Sequence, residues 1–175
     1  MADLNVKLDQ VKSKESFLEK IKRIIPGYDG YVNRDNSREL DLQLRNTLAK
    51  ELDGNKTKLK NAVLNLSKRG KLFETDGIDR IEKRLEASSA KFRSAARGYS
   101  GAFDVVKIKD DKLNQLYEFD SGSLDKVNEI GASCSEIEAN SAAGVDVNPV
   151  LEKLGTQLDA LLKMFDEREN ILRNL

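Results

Sequence analysis

The side chains best suited to recognition chemistry gather in two similar turns, Gly27-Tyr28-Asp29-Gly30-Tyr31 and Gly98-Tyr99-Ser100-Gly101-Ala102-Phe103. Arg34, Arg38 and Arg97 lie near them in sequence, with Asp104. Aromatic rings and guanidiniums on glycine-containing turns are the ingredients of an interaction surface, because they combine apolar area with directed charge. Tyr28, Tyr31, Arg34, Arg38, Tyr99 and Phe103 are therefore the candidate partner-binding residues. The same rings could instead plug the end of a leucine-lined helical bundle, with their hydroxyls reaching water or a cap. Both readings stay open at the level of sequence.

Other chemistries lack their side chains. The chain has 0 His, 0 Trp and 1 Cys among 175 residues. Without histidine and with one thiol it forms no His/Cys zinc site, no Ser–His–Asp or Cys–His pair and no disulfide framework. Cys134 lies between Ile130 and Ile137 at helical spacing and is flanked by Ser133, Ser135 and Glu136. It reads as a buried small hydrophobe, not as an electropositive, reactive thiol. Carboxylate pairs such as Asp166/Glu169 are expected by chance in a chain that is 34% charged, and no glycine-rich phosphate loop is present. The sequence therefore predicts no catalytic residues, no metal site and no cofactor.

Helices must position what remains. Phe17, Leu18, Ile21, Ile24 and Ile25 form an apolar stripe that predicts a short amphipathic helix over Lys14–Ile25, ended by Pro26-Gly27. A long helix is expected to start near Asp35, Asn36 or Ser37, with Leu40, Leu44, Leu48, Leu52, Leu59, Val63 and Leu66 inward. Gly54-Asn55 is a weak point within it, and Gly70 is its C-cap. Three further helices carry apolar seams that alternate three- and four-residue steps. These are Ile78, Ile81, Leu85, Ser88, Phe92, Ala95 and Tyr99; Leu113, Leu116, Asp120, Ser123, Val127, Ile130, Cys134 and Ile137; and Leu151, Leu154, Leu158, Leu161, Phe165, Arg168, Leu172 and Leu175. The last opens at Asn148-Pro149. A sustained 3.5-residue period predicts an all-α fold: a left-handed antiparallel bundle of four long helices with the short N-terminal helix on its side. Residues 1–13 are expected to form an N-terminal arm and 14–175 a single domain. In such a bundle the two aromatic turns converge at one pole, joined by Tyr117 and Phe119.

Formal charge is zero only in sum. Residues 1–100 hold 22 Lys/Arg against 15 Asp/Glu, a balance of +7, and residues 101–175 hold 8 against 15, a balance of −7. Lys56, Lys58, Lys60, Lys68, Arg69 and Lys71 form the densest basic stretch, with no acid between Gly54 and Phe73. This asymmetry fits charge pairing between neighbouring helices, self-association of opposite faces, or an anionic surface met by the basic stretch. Nucleic acid is disfavoured, because no aromatics interleave with these cations to stack on bases. No apolar run approaches the ~20 residues that cross a bilayer, and the first ten residues lack a signal-peptide core, which predicts a cytoplasmic protein.

Two blocks resemble a family of uncharacterised prokaryotic α-helical proteins. One is Ile24-Ile25-Pro26-Gly27-Tyr28-Asp29-Gly30-Tyr31, followed by Arg34, Arg38, Asp41, Leu44 and Arg45. The other runs Arg97-Gly98-Tyr99-Ser100-Gly101-Ala102-Phe103-Asp104-Val105-Val106-Lys107, followed by Leu116-Tyr117-Glu118-Phe119-Asp120. The resemblance implies a helical cytoplasmic protein without assigned activity. Ser121-Gly122-Ser123 departs from its pattern, and a bend or short break is expected there. Together these readings predict a non-enzymatic interaction or scaffold module whose partner is another protein or a second copy. The alternative is a peripheral, anionic-membrane or nucleic-acid-associated protein using residues 56–71.

Overall fold

A computed structural model describes residues 17–30, 34–94 and 110–173, with nothing stated for the side chains of residues 34–36, 110 and 111. Among the described residues every regular element is helical. Helix α1 spans residues 17–24. It buries Ile21 and Ile25, lays Phe17 and Leu18 partly against the core, and leaves Ile24 outside the stripe in which the sequence had placed it. Pro26 cannot continue the helix, and Gly27 takes the left-handed turn at φ +82°.

The expected second helix divides into two pieces. α2 (Arg34–Gly54) and α3 (Lys56–Lys68) are separated at Asn55. Asn55 keeps helix-like dihedrals and donates from its side-chain amide to the Glu51 carbonyl at 2.9 Å. This local bond competes with the backbone ladder where Gly54 already weakens it. The apolar stripe continues through the break, burying Leu40, Leu44, Leu48, Leu52, Leu59 and Leu66. At the end of α3, Gly70 at φ +73° closes a Schellman cap: Lys71 N–H reaches Leu66 O and Gly70 N–H reaches Ser67 O, both at 3.0 Å.

A three-residue turn of 3₁₀ helix (Leu72–Glu74) leads into α4 (Thr75–Ser94), followed by α5 (Asp110–Ala143) and α6 (Asn148–Arg173). The described members of all three heptad seams are buried, including Asp120, Ser123 and Arg168. α5 passes Gly122 without interruption, which corrects the expected break. The polar residues around Gly122 face the core instead of breaking the helix, and Met164 packs so close to Gly122 that a Cβ there would stand 2.6 Å from its methyl carbon.

Ordered contacts show how the helices pass one another. Glu82, Glu86 and Ser89 of α4 meet Lys60, Lys56 and Ala49 in reverse order, so α4 runs back along α2 and α3. α6 likewise runs back along α5, through Glu136–Lys153, Ser133–Gln157 and Asp120–Arg168. The other two seams run in the same direction. Lys58, Asn61 and Asn65 of α3 meet Gly131, Glu138 and Ser141 of α5, while Arg84 and Lys91 of α4 meet Asp159 and Asp166 of α6. Four columns thus enclose one core, with α2–α3 and α6 on opposite sides of it.

Candidate functional site

The most concentrated chemistry in the molecule lies inside the core. Arg45 and Arg168 are fully buried, and Asp41, Asp120 and Glu169 are each at least nine-tenths buried beside them. α2 supplies Asp41 and Arg45, one turn apart on its inner face. α5 supplies Asp120, and α6 supplies Arg168 and Glu169. Arg45 Nε donates to Asp41 Oδ2 at 2.6 Å and its Nη2 pairs with Glu169. Arg168 Nε donates to Asp120 Oδ1, and its Nη1 meets Asp41 Oδ1, each at 2.6 Å. Asp41 therefore bridges both guanidiniums and ties the two sides of the bundle together. Tyr28, also fully buried, donates its hydroxyl to Asp120 Oδ2 at 2.9 Å, so the segment after α1 closes the cluster.

Electrostatics follow from this placement. With every group ionised, two guanidiniums face three carboxylates, leaving one surplus negative charge in a region shielded from water. Burial pushes the Asp41 carboxyl upward, but Arg168 and Arg45 outweigh that effect and hold it below its ordinary value. Burial dominates at Glu169 and raises its carboxyl, with Arg45 offsetting only part of the rise and Asp41 adding to it. Glu169 therefore holds a proton more tightly than a free glutamate does. The Arg45 guanidinium also sits 5.0 Å from the Phe165 ring centre, and Phe165 meets Phe92 edge-on at 4.5 Å. Together they form an apolar collar on the cluster.

Of the six candidate partner-binding residues, Tyr28 belongs to this buried cluster and Arg38 is half-buried. Tyr31, Tyr99 and Phe103, with Arg97, lie outside the described residues, as does the side chain of Arg34. Tyr117 is buried beneath the same segment, and Gly30 passes so near that a Cβ there would stand 2.5 Å from its hydroxyl. Phe119 is half-buried. The structure therefore gathers Tyr28, Tyr117 and Asp120 in one place.

The basic stretch is largely engaged within the molecule. Lys56 pairs with Asp53 and Glu86, Lys58 donates to the Gly131 carbonyl, and Lys60 faces Glu82. Arg69 donates to the Ala142 carbonyl, and Lys71 pairs with Glu74 at 2.9 Å. Lys68 alone of the six is exposed with no such contact. Ion pairs continue at other seams: Arg84–Asp159 and Lys91–Asp166 join α4 to α6, Arg93–Asp53 joins α4 to α2, and Lys20–Asp125 joins α1 to α5.

Cys134 is buried, and burial pushes its thiol up to about 12, with Lys58 opposing only weakly. A thiol held there stays protonated and unreactive. Among the described residues no group of three or more His, Cys, Asp or Glu is arranged to hold a metal ion. A groove of 520 Å³ between α4 and α6, lined by Arg80, Arg84, Gly155 and Asp159 among others, is open to solvent, and Arg84 crosses it to Asp159. No family model, curated protein or solved structure matches the chain.

Sequence reasoning missed the ionic cluster, although part of its signal was visible. Asp120 and Arg168 occupy seam positions of two heptad repeats, and two opposite charges on facing seams are expected to find each other. Asp41 and Arg45 gave no such sign, since an i, i+4 acid–base pair on a helix is ordinarily a surface feature.

Proposed function

We propose that this chain is a non-enzymatic helical module that works by presenting rigid helix faces to a protein partner or to a second copy. The observation that carries the reading is the buried cluster: the densest charge chemistry among the described residues is paired within the core, where it joins α2, α5 and α6. Cys134 supports the same reading, being protonated and enclosed. The unbroken 3-4 spacing of the seams supports a left-handed bundle that is antiparallel along its hairpins. The two aromatic-glycine blocks support kinship with uncharacterised prokaryotic helical proteins, and the composition supports a cytoplasmic setting. Tyr28, held in the core, supports a capping role for the first aromatic turn.

Chemical crosslinking in the native cell extract, followed by identification of the captured chains, tests this reading. A stoichiometric protein partner or a homo-oligomer is expected, and its capture should weaken when Arg38 is replaced by alanine. Recovery of monomer alone, with salt-sensitive binding to duplex DNA abolished by neutralising Lys56, Lys58, Lys60 and Lys68, would replace it with the basic-stretch alternative.

A further inference from the structure

The end of the molecule opposite the ionic cluster carries a different kind of surface. Phe73 is 98% exposed, the most of any large apolar residue described, and its neighbour Leu72 is 59% exposed. Both sit in the short 3₁₀ turn between α3 and α4, which is firmly built. The Schellman cap precedes it, Glu74 N–H reaches Lys71 O at 3.1 Å, and the Thr75 hydroxyl donates to Leu72 O at 2.7 Å. Phe73 is thus held out by an ordered turn. The α5–α6 turn lies beside it, because Arg69 donates to the Ala142 carbonyl and packs against Gly144. That turn adds Val145, 52% exposed. Two adjacent loop tips therefore project Leu72, Phe73 and Val145 from one end of the bundle.

Three such side chains offer a few hundred Å² of apolar surface, well short of the ~800 Å² that each partner contributes to a stable protein interface. They also protrude, so a second copy would need a cavity to receive them. A bilayer needs none, since each apolar side chain enters the boundary between headgroups and acyl chains on its own account. Cations stand at the base of the tip. Lys68 and Arg69 are exposed, and Lys71 is half-exposed on its bond to Glu74. Their stems can lie along apolar surface while their heads meet phosphates. Acids share this end: Asp76 and Asp146 sit at the starts of α4 and α6, with Asp79 and Glu152 one turn further in, where the helix dipoles favour negative charge.

We propose that this tip is a peripheral membrane-docking site for anionic phospholipid surfaces, in which Leu72 and Phe73 insert and Lys68 and Arg69 contact lipid phosphates. The site deepens the anionic-membrane alternative by moving it from the flank of α3 to the loop tip, and it stands apart from the scaffold reading.

The chain contains 0 Trp, so Phe73→Trp places a single fluorophore at the point of insertion. Leu42→Trp, at an exposed position on α2, is the control. With vesicles of phosphatidylcholine and phosphatidylglycerol, emission of the F73W protein should shift to the blue while that of the L42W protein stays in place. In the otherwise native chain, Phe73→Ser should lower partitioning about tenfold or more, and Lys68→Gln about fivefold on these vesicles. Neutralising Lys56, Lys58 and Lys60 should leave partitioning unchanged. No shift of F73W emission overturns the proposal. So does a shift that grows with protein concentration in the absence of vesicles, which would mark self-association. Binding that ignores Phe73 but is lost with Lys56, Lys58 and Lys60 overturns the tip while retaining the wider basic surface.

Discussion

Replacing Arg168 by leucine would leave Asp120 and one oxygen of Asp41 buried without their cation. The expected loss is about 3–5 kcal/mol of unfolding free energy, the usual consequence of stranding a buried charge. Adding Asp120→Leu should cost less than the sum of the two single changes, because the second removes the charge that the first stranded. Urea titration of the four proteins in the cycle measures the difference, and strict additivity would mean that the pair does not act as a unit. Two neighbouring carboxyls should give stability opposite dependences on pH. Glu169 binds its proton more tightly in the folded chain, so its contribution is complete below its ordinary 4.5 and is lost as pH climbs through the raised folded value. Asp41 is held below its ordinary 3.8, so its contribution is complete above that value and is lost as pH falls. The two contributions together should therefore be largest between the ordinary values of 3.8 and 4.5. Glu169→Gln should flatten the limb that falls toward neutral pH, and an unchanged limb would assign the dependence to another group.

Among the elements, two glycines call for opposite outcomes from the same substitution. Gly54 closes α2 with ordinary dihedrals and open space around its Cβ position, so Gly54→Ala should stabilise the protein by about 0.5–1 kcal/mol. Gly70 holds a left-handed conformation that the cap of α3 requires, so Gly70→Ala should destabilise by about 1 kcal/mol although nothing crowds it. Thermal unfolding would register both, and equal signs would refute the assignment of the two turns. The elements were legible in the sequence because their information is periodic: each described seam residue of α4, α5 and α6 lies where its three- and four-residue steps place it. The division at Asn55 was legible only as a weakness, since it rests on one side-chain bond to the Glu51 carbonyl that no periodicity encodes. Gly122 misled for the converse reason. Glycine between polar residues normally marks a break, but here Met164 occupies the space that a side chain would fill. The ionic cluster was the least legible part, since beyond pairing with each other Asp41 and Arg45 take their partners, Arg168 and Glu169, from α6 far along the chain.

At the scale of the whole molecule, hydrophobic seams hold the helices together but are indifferent to where along their length they meet. A heptad pattern of leucine and isoleucine matches itself again after seven residues, a slide of roughly 10 Å. Moving α6 along α5 by that step would leave most apolar contacts recognisable and would part Arg168 from Asp120 and Glu169 from Arg45. The buried charges thus fix longitudinal alignment, as a polar residue within a coiled-coil seam fixes which rungs pair. Replacing Asp41, Arg45, Asp120, Arg168 and Glu169 together by apolar residues of similar size is accordingly expected to leave stability equal or higher while admitting slid arrangements. The backbone amide spectrum of that variant should hold more peaks than the chain has residues, and a single sharp set would show that packing alone selects the alignment. The ionic core would then act chiefly on how many structures the chain can adopt, and much less on how strongly it holds any one of them.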